Sequence, residues 1–263
     1  MSALRLGAVS YLNTKPLVHG LDAQTDQFAI RFDVPSQCAS LLHAGRVDLG
    51  LIPAVDYLRG DYAIVPDVAI ASDGAIASVA VFSRVPIGEV KTLALDTSSR
   101  TSVALTRVMC AKRWQIAPTF VPLDPDLAAM LSIADAALVI GDMALDIDPM
   151  AFGVTKIDLG LEWQALTGLP FVYAMWTGRP GAASPDHCRA LQTARDRGVE
   201  DLAAIARVEG AGDAAREARA LAYLSDNLRY HLGEQEAAGL RRFHELAVDI
   251  GVMPSMKPLR FYE

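Results

Sequence analysis

The chain has 263 residues, 52% hydrophobic and 21% charged, with a formal net charge of −7 from 24 basic and 31 acidic side chains. That composition supports a substantial core and excludes a disordered chain, and the acidic balance argues against nucleic acid while allowing a small anion in a local site. Three scattered cysteines without a Cys-x-x-Cys, no apolar run of about 18 residues, and an N-terminus (MSALRLGAVSYLN) without a signal-peptide pattern lead us to expect a cytoplasmic protein with no membrane span.

Along the chain, LRLGAV (4–9) reads as a strand. It runs into SYLNTKPL, where Ser10, Tyr11, Asn13 and Thr14 crowd the strand end and Thr14 to Leu21 reads as a helix with Pro16 in its first turn. FAIRFDV (28–34) alternates as a strand, SQCASLLHAG (36–45) reads as a helix capped by Ser36 and stopped by Gly45, and VDLGLI (47–52) is a third strand. A short helix, AVDYLRG, and two extended runs, YAIVPDVAIAS and AIASVAVFS, complete the first series.

VKTLALD (90–96) opens the second series, with a helix predicted from about Ser99 to Trp114, strand candidates TFVPL and AALVIG, and a last strand FVYAMW (171–176). After about Pro180 the pattern is helical only: Leu221, Leu224, Leu228 and Leu232 repeat at helical spacing, as do Leu240, Phe243, Ala247 and Ile250.

Strands alternating with helices imply parallel sheets. Two such series and a helical tail predict an α/β protein of two lobes, similar to type 2 periplasmic binding proteins, with a ligand cleft between the lobes. The Pro- and Gly-bearing segments 83–89 and 176–180 are the expected crossings, which puts residues 1–85 with 178–263 in lobe one and 86–177 in lobe two.

Ligands of open α/β sheets bind beyond the carboxyl ends of strands, and four such places are polar: SYLNT, AIAS (75–78), DTSSRTS (96–102) and IGD (140–142). DTSSRTS places five hydroxyls and Arg100 at a helix start, where unpaired N–H groups and the positive dipole end favour a carboxylate or phosphate. One hydroxyl would suffice for an ordinary cap. For SYLNT a simple cap by Asn13 or Thr14 is the alternative, for IGD a turn. The five scattered histidines lack metal-ligand spacing, and no phosphate loop or nucleophile elbow is present.

GAVSYLNTKPL, VDLGLIP, SDGAIASV, LALDTSSRTSVAL, LVIGDMAL and DLGLEWQALTGLPFVYAMW, in that order, resemble the chorismate dehydratase family of the futalosine route to menaquinone, strongly over residues 4 to 180. The resemblance implies loss of water from chorismate to give 3-[(1-carboxyvinyl)oxy]benzoate, with no cofactor or metal. It implies catalytic roles for Asn13, which would hold the departing hydroxyl, and for Ser78. Ser10, Tyr11, Ser98, Ser99, Arg100, Thr101, Gly141 and Asp142 would bind substrate. Proton removal would fall to the substrate's own enolpyruvyl carboxylate. The alternatives are a non-catalytic anion-binding protein of the same fold, and the related 1,4-dihydroxy-6-naphthoate synthase, for which a cleft histidine would be expected.

Overall fold

A computed structural model describes residues 3–263. Its two five-stranded sheets face each other across a cleft. The strands are β1 (Leu4–Val9), β2 (Phe28–Asp33), β3 (Leu49–Pro53), β4 (Ala63–Ser72), β5 (Val79–Ser83), β6 (Thr92–Asp96), β7 (Thr119–Leu123), β8 (Ala136–Ile140), β9 (Thr155–Asp158) and β10 (Phe171–Gly178). The first sheet runs β2-β1-β3-β10-β4 and the second β7-β6-β8-β5-β9.

Both sheets are mixed rather than parallel as expected. β1 is parallel to β2 and β3, and β6 to β7 and β8, but β10 runs antiparallel to β3 and β4, and β5 antiparallel to β8 and β9. The crossings cause this. β4 and β9 end at the cleft, so the strand that follows each enters the opposite sheet from the cleft and runs against its neighbours.

The crossings also correct the expected lobe boundaries of 85/86 and 177/178. β5 already belongs to the second sheet, and β10 returns to the first. The chain therefore crosses through residues 73–78 and through the helix Leu159–Thr167, which sequence reading missed together with β9. Pro and Gly in 83–89 and 176–180 mark turns at the far ends of β5 and β10 instead.

β3, β5, β8 and β10 are buried at every position, as strands covered on both faces should be. Along β5 the period of two divides two cores: Val79 and Val81 join the main core that runs through both lobes, while Ala80 and Phe82 pack with Leu127, Met130 and Leu131. The helix Pro35–His43 starts at Pro35 with no side-chain cap, so Ser36 is not its N-cap; the Ser36 N–H instead donates to the Ser98 carbonyl across the cleft.

The tail is not helix throughout. The helix Ala214–Ala222 passes into a π-helical turn, Tyr223–Asn227, and then into extended chain in which Arg229 pairs antiparallel with Ala71. Leu228 and Leu232 thus keep their buried positions without the helix their spacing suggested. The edge of β4 offers backbone partners that a further helical turn would leave unused. Among the described residues, no helix is long and apolar enough to cross a membrane.

Candidate active site

The carboxyl ends of β1, β4, β6 and β8 converge between the lobes. Beyond β1, residues Leu12–Val18 form a 3₁₀ segment with Pro16 inside it, shorter and tighter than the expected helix. The Tyr11 ring reaches across to the second lobe, its hydroxyl 3.3 Å from Ser98 Oγ. Its face lies on Gly141, where a Cβ would stand 2.9 Å from the ring and the backbone φ is +75°. Only glycine meets both demands there. The Leu12 N–H donates to both oxygens of Asp142, at 3.2 and 3.1 Å. Tyr11 and Leu12 thereby pin the lobes together.

The 73–78 crossing is held by Asp158, the N-cap of the helix Leu159–Thr167. Its carboxylate accepts N–H bonds from Ile76 (3.1 Å), Ala77 (2.7 Å), Gly160 (2.9 Å) and Leu161 (3.1 Å). These bonds hold Ala77 at φ +62°, a left-handed conformation uncommon for alanine. The turn aims the buried Ser78 hydroxyl at Tyr223, whose Oη lies 2.7 Å from Ser78 Oγ and accepts a 3.2 Å bond from Asn13 Nδ2.

In DTSSRTS the buried Asp96 carboxylate accepts the Ser98 and Ile140 N–H groups, at 2.9 and 3.3 Å, and burial raises its pKa against those bonds. Ser99 is the N-cap of the helix Arg100–Val108: its Oγ accepts the Ser102 N–H and hydroxyl, at 3.3 and 3.0 Å.

The residues named from the sequence therefore divide. Tyr11, Asn13, Ser78, Ser99 and Gly141 line one cavity at the cleft, together with Ser102 and Tyr173. Ser98 touches it through Tyr11. Ser10 is exposed and outside it. The oxygen of the wholly buried Thr101 accepts the Val55 N–H at 3.1 Å, tying the second lobe to the first. Arg100 turns from the cavity to the buried Asp56 (3.2 Å) and to Ser40 Oγ (2.9 Å). Arg100 and Thr101 thus serve the lobe interface rather than the cavity. Tyr173 and Tyr223 were missed. Tyr173 lies in a strand of continuous burial, where its hydroxyl meets Ser72 Oγ at 3.1 Å, and Tyr223 sits amid leucines of a helical pattern; nothing local distinguishes either.

The cavity is small, about 40 Å³, against roughly 300–1,000 Å³ for ordinary ligand pockets. A larger open groove of about 1,010 Å³ lies between β2 and the helix Leu202–Gly210, but it shares no lining residue with the cleft. It sets Lys15, Asp22, Glu209 and the His19–Asp201 pair, 3.6 Å apart, on an apolar floor.

Asp142 supplies a pH test of the lobe contact. Burial pushes its pKa up to about 6, helped by Glu209 and Asp146 and opposed by the Leu12 N–H. The folded-state value exceeds the unfolded one, so the folded chain binds the extra proton, and the stabilisation is full below about pH 4 and lost as pH rises through about 6. Asp142→Asn fixes the neutral form. The melting temperature of the wild type relative to Asp142→Asn is expected to fall between pH 4 and 6.5; parallel profiles would place the Asp142 titration elsewhere.

Two mixed sheets with crossed strands and a polar cleft between them define the two-lobed binding-protein class. Solved structures agree on the fold. A protein of Archaeoglobus fulgidus superposes with a TM-score of 0.77 at 17% identity, covering 96% of this chain and 99% of that one. A Candida albicans gene product described as having the generic periplasmic binding protein fold gives 0.68 at 12% identity, covering 98% and 92%. Within that class, the chain belongs to the menaquinone biosynthesis family, whose model matches residues 4–249. A relative from Thermus thermophilus, chorismate dehydratase, is 31% identical over 271 residues, 96% of this chain and 98% of the relative.

Proposed function

We propose that this chain is a carbon–oxygen lyase that dehydrates chorismate to 3-[(1-carboxyvinyl)oxy]benzoate in menaquinone biosynthesis. The observation that carries the reading is the meeting, in one cleft, of Asn13, Ser78 and the serine-rich start of the helix Arg100–Val108. Chorismate offers two carboxylates, a hydroxyl and a flat apolar ring. Hydroxyls and N–H groups at a helix start suit a carboxylate, and Val9, Ile70, Ile76 and Val79 suit the ring.

Among the described residues, no Asp, Glu or His lines the cavity. Asp96 is occupied by Ser98 and Ile140, Asp142 by Leu12, and none of the five histidines lines the cleft. This supports the substrate's enolpyruvyl carboxylate as the base, since a group held beside its target can act at an effective molarity of about 10⁵ M or more. The carboxylate takes the proton from ring carbon 3. The C–H electron pair forms the new ring double bond as the C–O bond at carbon 4 breaks, and the captured proton passes to the departing hydroxide to give water. Asn13 would hold that hydroxyl, and Ser78 would donate to the substrate beside the reacting carbons.

A ring-sized ligand exceeds the cavity, so binding would require the lobes to part and Tyr11 to swing from Gly141. A cytoplasmic location belongs to the same proposal.

Incubation of the purified protein with chorismate, followed by ultraviolet absorbance and mass, is the test. An aromatic product lighter by one water is expected. Chorismate bound but unchanged would establish a binding protein instead, and chorismate neither bound nor changed would refute the substrate. The cleft without histidine disfavours the naphthoate synthase reading.

A further inference from the structure

Tyr223 touches both side chains given catalytic roles above, and it comes from the C-terminal segment that sequence reading left without a function. Its hydroxyl is buried, 2.7 Å from Ser78 Oγ and 3.2 Å from Asn13 Nδ2. The segment is laced to the crossing before Ser78 at two further points. Asn227 Nδ2 donates to the Ala75 carbonyl at 3.0 Å, and the Arg229 N–H donates to the Ala71 carbonyl at 2.8 Å.

The direction of each bond follows from what the groups can do. Thr14 Oγ1 lies 3.4 Å from Asn13 Oδ1, and its hydroxyl orients the amide so that the NH₂ group faces Tyr223. An amide N–H can only donate, so the phenol oxygen accepts from Asn13. Burial raises the phenol pKa, so the phenol keeps its proton, and Ser78 Oγ, 2.7 Å away, is an acceptor within its reach. Ser78 Oγ makes no other hydrogen bond among the described residues, so with the phenol as donor its own proton is left for the cavity that Ser78 lines.

We infer that Tyr223 is a positioning residue: it accepts from Asn13 and donates to Ser78, so that the Ser78 hydroxyl and the second Asn13 N–H are both presented to the substrate as donors. This rests on the function proposed above.

The experiment compares wild type, Tyr223→Phe, Ser78→Ala and the double variant on chorismate. Tyr223→Phe is expected to lower kcat about ten- to a hundredfold with KM within about threefold, because a donor loses its aim while the binding surface stays. In the Ser78→Ala background Tyr223→Phe should slow turnover by less than it does in the wild type, since only the part of its effect that passes through Asn13 remains. A merely structural tyrosine would give multiplying losses. Asn227→Ala keeps the phenol but frees the segment from Ala75, and a fall of about threefold is expected; it carries the test if Tyr223→Phe does not fold. Wild-type kcat in Tyr223→Phe, or multiplying losses in the double variant, or wild-type kcat in Asn227→Ala where that variant carries the test, overturns the inference while the dehydratase reading stands. A wild-type protein that leaves chorismate intact overturns both.

Discussion

Asn13→Ala and Ser78→Ala are each expected to lower kcat for chorismate dehydration by about 10²–10³-fold, the loss typical of one preorganised donor at a reacting centre, or roughly 2.7–4 kcal/mol of transition-state stabilisation. The departing group here is a hydroxyl, which leaves with developing negative charge. In the dry interior of a closed cleft such charge depends on the few donors aimed at it, since water cannot substitute. In the proposed mechanism Asn13, from the segment after β1, donates to the departing hydroxyl, and Ser78, from the crossing before β5, donates beside the reacting carbons. Neither truncation empties a large volume: Asn13 is only partly buried, and Ser78→Ala removes one hydroxyl. Melting temperatures should therefore stay close to that of the wild type. Steady-state kinetics with a melting curve on the same preparations provides the check. Near-normal turnover in a folded Asn13→Ala protein would remove that residue from the mechanism.

Gly198→Ala is expected to lower the melting temperature by about 4–8 °C and to slow turnover as well. Gly198 lies in the helix Pro185–Glu200 where that helix crosses the 3₁₀ segment carrying Asn13. A Cβ there would stand 2.2 Å from the Pro16 carbonyl oxygen and 2.5 Å from Pro16 Cα. These are backbone atoms, which cannot rotate away as a side chain can. Overpacking of this kind costs about 1–3 kcal/mol and occasionally more. Alanine in a helix recovers roughly 1 kcal/mol over glycine. A contact this close to fixed backbone belongs at the top of that range, so the clash wins by about 2 kcal/mol, which corresponds to the stated shift for a chain of this size. Relief by movement of the 3₁₀ segment would carry Asn13 away from Ser78, hence the kinetic effect. Gly88→Ala, with nothing within 4 Å of its Cβ and no left-handed φ, is the control and should melt within about 1 °C of wild type. An unchanged melting temperature for Gly198→Ala would mean that helix and segment separate freely.

Sequence reading located most strands because their signals are local. LRLGAV matches β1 and TFVPL matches β7 to the residue, and FVYAMW falls inside β10. β9, four residues long and only partly buried, carries too little apolar patterning to register. At the site, Tyr11, Asn13, Ser78, Ser99 and Gly141 do line one cavity. The roles of the other residues in DTSSRTS were not legible. Arg100 looked like an anion clamp, and only the placement of the buried Asp56 opposite it reveals a lobe contact. Thr101 looked like one more cavity donor, but it is wholly buried at the lobe contact, where its oxygen accepts the Val55 N–H.

What the amino-acid order determined by itself is the series of strands and helices, the polar strand ends and the membership of the family, since each depends on residues within about ten positions of one another. The tertiary structure decided which sheet receives β5 and β10, which hydroxyls face the cavity, and that Tyr223 reaches Ser78 from 145 residues away in the chain. Those outcomes are set by long-range packing and by competition for buried hydrogen-bond partners, and a side chain's neighbours across a cleft leave no periodic trace in its own segment.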